Sequence, residues 1–326
     1  METHPVELPP SLATHLHIRE GCCYPDWPAI WNEIEERAPE AERPVLWKAV
    51  VLAWVAQVQV HLGEKYVTWE TDRFLYISDA AVEVVQDADK TCTSALQRIE
   101  ASLAGLPVDP VHGKSKRVVL LFADIDAYCR YIAYFHAEGE SPMSSGICLD
   151  RGGYPHIAIP ATDVSTDQLA LAHELTHLWV SHLPLPLWLN EALAMRMEQI
   201  VCGQQPLHLD RDILERHSNH WNEDTIQEFW TGASWQIPGE SHELSYALAQ
   251  LLWLKIETVL APPRPKLVEF IAQATVDDAG ESAFQSTFDA SLGDLVASIL
   301  GEGPWSPAPD TWAFPDGSDS AESSHG

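Results

Sequence analysis

Apolar positions along the chain change period several times, and each change marks an element. Trp27 to Arg37 has the spacing of a short amphipathic helix, and Pro39 and Pro44 bracket a break after it. Residues 45–62, VLWKAVVLAWVAQVQVHL, are apolar nearly all round, the pattern of a helix buried in a core. KYVTWETDRFLYIS (65–78) holds two β-rich runs around Thr71-Asp72-Arg73, predicting a hairpin or one bent strand. Asp79 is placed to cap a helix running to about Leu103, with Val82, Val85, Cys92, Leu96 and Ile99 at near-helical spacing. After a loop at 106–116, RVVLLF (117–122) reads as a strand, followed by an acidic cap and a helix. GICLDRGGYPHIAIP (146–160) reads as two strands around Gly152-Gly153. Residues 1–25 have no regular pattern.

The second half is helical in pattern. Asp163 or Thr166 is expected to cap a helix carrying LALAHELTHLWV, which Pro184 and Pro186 end before a second helix, LWLNEALAMRMEQI. Further helical segments include SYALAQLLWLKI and KLVEFIAQA, and residues 303–326 contain few core-forming positions. The expected organisation is a helical N-terminal extension over 1–65, a main domain over 66–302 and a disordered acidic tail over 303–326. The fold class is α+β, a small mixed sheet with an active-site helix and a mainly helical C-terminal part.

Charge and composition narrow the partners. Of 326 residues 48 are acidic and 19 basic, a formal charge of -29 that disfavours nucleic acid and anionic membrane surfaces. Lys48, Gln57, Gln59 and His61 interrupt the 45–62 run, so a core helix is expected there rather than a membrane span. The six cysteines form no CxxC pair and read as small buried residues of a reducing compartment. The N-terminus has no basic region followed by an apolar core, so the expected location is the cytoplasm. No Gly-x-Ser-x-Gly, P-loop or dinucleotide fingerprint occurs.

One cluster carries chemistry. His173 and His177, four residues apart on an apolar helix, lie about 40° apart around its axis and one turn apart along it, so both imidazoles can reach one ion. Glu174 beside them can reach a water on that ion, the H-E-x-x-H arrangement of two neutral ligands and a general base. A catalytic zinc needs a third protein ligand. His182 lies about 140° further around the helix and points away. Glu191, in the first turns of the next helix, is a costly buried charge unless it binds the ion, and is the better ligand. His217 and His220 read as a solvated loop or helix end, and His15 and His17 carry no site.

HELTH followed by WLNEALA resembles the gluzincin metallopeptidases, and more closely the small peptidase-MA-like domains of bacteria. TDRFLYIS, RVVLLFADIDAYCRYI and PHIAIP resemble, in order, the opening strand, the strand-plus-helix and the edge strand beside the cleft of those domains, and the likeness extends over about residues 68–300. The resemblance implies a zincin-like fold and one zinc ion per chain, bound by His173, His177 and Glu191. It also implies a tyrosine that hydrogen-bonds the tetrahedral intermediate, matched here by Tyr246 with His242 as the alternative donor. Two departures are visible. Ala192 replaces the usual glycine after the glutamate ligand, which narrows the room expected near the zinc. The Gly-x-Met-Glu-Asn exopeptidase motif is absent, so endopeptidase action on a peptide or protein substrate is expected. The rivals are a catalytically inactive zinc-binding module with a protein partner, and a metal-free buried polar network.

Overall fold

The computed structural model describes residues 8–19, 22–108, 116–135, 145–150, 154–161, 168–203 and 211–312. The chain divides into two compact units, one of residues 1–93, 108–167 and 319–326, the other of residues 94–107 and 168–318. The class is mixed α+β, as expected.

The first unit opens with α1 (Pro10–Ala13) and a hairpin of β1 (Leu16–Arg19) and β2 (Cys22–Pro25), paired antiparallel from Leu16 opposite Pro25. The hairpin corrects the irregular reading of residues 1–25; strands this short show no legible alternation. In α2 (Trp27–Arg37) the Asp26 carboxylate accepts from the Ala29 amide at 3.0 Å, a cap made where Pro28 occupies the first turn. The long apolar run is α3 (Arg43–Leu62), with Pro44 in a first turn that needs no amide donor. By length and composition alone α3 could cross a membrane. Here it buries Trp47, Val50, Val51, Trp54, Val55 and Val58 in the core of this unit, leaving Val45 and Val60 exposed.

The remaining elements of this unit are β3 (Val67–Glu70), β4 (Phe74–Ser78), α4 (Val82–Ser102), β5 (Arg117–Phe122), α5 (Ile125–Ala133), β6 (Ile147–Leu149) and β7 (His156–Pro160). The sheet order is β3-β4-β5-β7-β6. β4, β5 and β7 run parallel, and the outer strands β3 and β6 pair antiparallel to β4 and β7. Leu75, Ile77, Val118, Leu120, Phe122 and Ala158 share one core with α2, α3 and α5. On β4, Tyr76 points to the opposite face and donates to Asp89 of α4 at 3.1 Å. Two expectations are corrected. PHIAIP is not an edge strand: β6 covers its outer side, with Ile147 opposite Ala158, and all five residues of β7 are buried. Asp79 does not cap α4. Its carboxylate accepts from the Ala123 amide at 2.8 Å and pairs with Lys65 at 2.7 Å, because the strand ends bring those donors closer than the helix. The proposed caps Asp163 and Thr166 lie outside the described residues.

His156 gives this unit a pH dependence. It is buried among the Trp54, Tyr131 and Phe135 rings, with Nε2 at 2.7 Å from the Tyr131 hydroxyl. Burial pushes its pKa down to about 4, partly opposed by the Tyr154 backbone, which favours the protonated ring. The unfolded chain therefore binds the extra proton first, and stability falls as pH drops from about 6.5 towards 4. The expected loss from this residue is about 2 kcal/mol between pH 7 and pH 5. Urea unfolding of wild type and His156→Phe at both pH values checks it; an unchanged pH slope in the variant rules it out.

The second unit is helical: α6 (Gln168–Val180), α7 (Leu187–Cys202), α8 (Arg211–His220), α9 (Thr225–Thr231), α10 (Glu240–Lys255), α11 (Arg264–Gln273), α12 (Glu281–Phe288) and α13 (Leu292–Leu300). Trp188 of α7 is fully buried against Trp230 and Phe270, and its indole N–H donates to the Ala279 carbonyl at 2.9 Å. The last turns of α4 belong here, where Arg98 donates to the Val201 carbonyl at the C-terminal end of α7. Residues 303–312, read from sequence as part of a disordered tail, pack on this unit. The Gln227 amide accepts from the Ala308 amide and the Trp312 indole and donates to the Ser306 carbonyl, each at 2.9 Å. Trp230 donates to the Trp305 carbonyl at 2.8 Å. These contacts come from a glutamine and a tryptophan some eighty positions upstream, so local composition does not reveal them. The rest of the tail lies outside the described residues.

Candidate metal centre

The site is built on the α6–α7 hairpin. Leu171, Ala172, Leu175 and Leu178 bury one side of α6, which leaves His173 and His177 on a half-buried face with ring centroids 4.5 Å apart. Pro184 and Pro186 end the first helix and start the second, so α7 returns antiparallel to α6. The contacts run in that sense, His173 meeting Glu198 and Glu191, and His177 meeting Glu191 and Asn190.

Each imidazole is held from behind. His173 Nδ1 lies 2.6 Å from a Glu198 carboxylate oxygen, and His177 Nδ1 lies 2.9 Å from the Asn190 side-chain oxygen. Both acceptors favour the tautomer with its proton on Nδ1, which leaves the Nε2 lone pairs facing inward. There they meet Glu191, at 3.2 Å for His173 and 3.6 Å for His177. The ligand atoms of the three residues all lie within 4.8 Å of one another, the one such group found among the described residues. Two imidazole lone pairs and a buried carboxylate at these distances repel unless a cation stands between them. In the metal-free chain a proton serves: burial lowers the pKa of His173, but hydrogen bonds to Glu191 and Glu198 outweigh it and hold the pKa well above the ordinary value. The donor set fits a metal ion in place of that proton.

The remaining sequence candidates sort by their contacts. His182 is turned away, as expected, with Nε2 at 2.8 Å from the Pro107 carbonyl. Glu174 is buried, and its charge acts on both His173 and Tyr246. Burial first, then Glu191, Glu174 and Glu198, raise the Tyr246 pKa far above the ordinary tyrosine value and keep its hydroxyl a donor. His242 sits one turn earlier on α10, its ring 5.1 Å from that of Tyr246. Its Nδ1 donates to the Trp235 carbonyl at 2.7 Å, so the neutral ring presents an acceptor at Nε2 and only the imidazolium would donate there. Tyr246 is the better donor of the two. Ala192, one position past Glu191, lies about 100° around α7, where it lines a small groove with Trp253 and Gln250 of α10.

His217 is not solvated. It is fully buried, and Nδ1 accepts from the Trp221 indole at 2.8 Å, which places its own proton on Nε2 and removes it as a metal ligand. Glu198 and Asn190 escaped the sequence reading. A signal was present for each: Asn190 adjoins the ligand, and Glu198 follows Glu191 by seven positions, two turns along the same face. Glu198→Gln keeps an acceptor for His173 but loses the charge, and is expected to weaken metal binding about 10- to 100-fold in competition with a chromophoric chelator. Unchanged affinity would leave Glu198 as a packing residue only.

No protein-family model and no curated protein sequence matches the chain.

Proposed function

We propose that this chain is a zinc-dependent peptidase of gluzincin type, cleaving within peptide or protein chains. The carrying observation is the inward convergence of His173 Nε2, His177 Nε2 and Glu191 while Glu198 and Asn190 hold the outer nitrogens. Two imidazoles and one carboxylate match the donor set of hydrolytic zinc sites, which keep a fourth position for water. Bound there, zinc supplies a water of near-neutral pKa and positive charge for the developing oxyanion.

The chain's own residues complete the reaction. Glu174 takes one proton of the attacking water, whose oxygen bonds to the peptide carbonyl carbon as the C=O π electrons move onto the carbonyl oxygen. Glu174 then delivers that proton to the amide nitrogen, which leaves with the C–N electron pair as the oxyanion re-forms the carbonyl. Tyr246 donates its hydroxyl hydrogen bond to the oxyanion in between, a role that its raised pKa supports. The net charge of -29 favours cationic or neutral substrates, and a cytoplasmic setting without membrane or nucleic acid partners belongs to the same proposal.

The experiment is turnover of an unstructured protein such as casein, before and after chelation and with zinc restored. Loss on chelation and return with zinc is the expected result. A zinc-loaded protein without turnover would favour the alternative, an inactive zinc-binding module.

A further inference from the structure

Asn190 and Glu191 are the fourth and fifth residues of α7. A helix end frays unless an N-cap side chain accepts from its first amides. Here the N-cap is Pro186, whose ring has no acceptor, and the first turn holds no acidic residue. The first backbone bonds run from Leu189 and Asn190 to the Pro186 carbonyl, at 3.0 and 3.1 Å. A metal ligand so near an uncapped end needs its turn fixed from outside the helix.

Three contacts within the helical unit do this, on three consecutive residues. Pro186 lies against Gly280, where an added Cβ would come within 3.7 Å of its ring and 3.2 Å of the Ala274 methyl. Leu187 lies against Gly232, where a Cβ would meet its Cδ2 at 3.1 Å. Both glycines have positive φ, +81° and +86°, so a side chain at either would be strained as well as crowded. Trp188 donates its indole N–H to the Ala279 carbonyl at 2.9 Å. Ala279 is itself left-handed, with φ 56° and ψ 20°, and fully buried. A left-handed alanine persists only where its surroundings over-determine it. Asp278 provides part of that constraint, accepting from the Gly280 and Ser282 amides at 2.9 and 2.8 Å.

We propose that Trp188 is a positioning residue for the metal site. Its bond to the strained turn at 279–280 pins the start of α7, and so holds Glu191 near both imidazoles and Asn190 behind His177. Trp188 precedes Glu191 by three residues, so the two side chains project about 60° apart around the helix. The ring points to Trp230 and Phe270, the carboxylate to His173 and His177. A roll of the first turn that displaced the ring would displace the carboxylate with it. Apolar packing alone leaves such a roll open, whereas a hydrogen bond is directional and fixes it. The inference rests on the metal site of the proposed function and not on peptide cleavage.

The test measures zinc affinity of the full chain, by competition with a chromophoric chelator, beside the melting temperature of the metal-free protein. Affinity compares two folded forms, so a side chain that only adds stability moves the melting temperature and leaves the affinity alone. Trp188→Phe keeps an aromatic ring and removes the donor, and is expected to weaken zinc binding about tenfold. Val296→Ala opens a cavity in α13 of the same unit; it is expected to lower the melting temperature and bind zinc as wild type does. Should Trp188→Phe fail to fold by circular dichroism, Asp278→Ala decides in its place, by removing the acceptor that holds the turn, with weakened binding again expected. Unchanged zinc affinity in the folded variant, or equal weakening in Val296→Ala, overturns the positioning role. A wild-type chain that binds no zinc would remove the metal site and this inference together, a result read before any variant is compared.

Discussion

Glu174→Gln is expected to retain its metal and lose about 10³-fold in kcat on casein. The amide has the size and shape of the carboxylate but cannot accept a proton from water or carry one to the leaving nitrogen. His173, His177 and Glu191 keep their contacts, because Glu174 acts on His173 and Tyr246 through its charge and is not one of the three ligands. Removing a buried negative charge also relaxes the upward pressure on the Tyr246 pKa without bringing it near neutrality, since burial is the larger cause. The substitution therefore separates proton transfer from metal binding and from oxyanion stabilisation. Zinc content by elemental analysis and steady-state turnover, measured on the same preparation, check both halves. Wild-type turnover in the variant would remove Glu174 as the base and with it the proposed mechanism.

Glu191→Ala is expected to reduce zinc from about one per chain to a small fraction when both proteins are purified without added metal. Two imidazoles alone make a weak site, and this carboxylate is the only charged one of the three ligands. The metal-free form suffers too. Glu191 faces a His173 that holds its proton, and breaking a buried ion pair of this kind costs about 3–5 kcal/mol. Glu191→Gln, which preserves the volume, guards against a variant that simply fails to fold. Equal zinc in wild type and both variants would exclude Glu191 as a ligand. No zinc in any of them, even after it is supplied, would leave the two histidines and the surrounding carboxylates as a structural polar network.

Much of this site was legible because its geometry is local. Four residues along an α-helix bring His173 and His177 to one face whatever the rest of the chain does, and two prolines after Val180 force the return that presents Glu191. The same reasoning located the RVVLLF strand, the Trp27–Arg37 helix and the buried helix expected at 45–62 and observed at 43–62, each of which shows its period within its own length. Periodicity says which face is buried and leaves open what buries it.

What the sequence by itself determined is therefore the α+β class, the helices and most strands, and the three residues able to hold a metal ion. Tertiary structure alone decided which acceptors stand behind the two imidazoles, that β7 is interior with β6 outside it, that Asp79 serves Ala123 and Lys65 in place of a helix end, and that residues 303–312 dock through Gln227 and Trp230. The physical reason is common to all of these. A hydrogen bond or a strand pairing between distant positions depends on where two segments come to rest, and neither segment carries the other's address in its own pattern of apolar and polar residues.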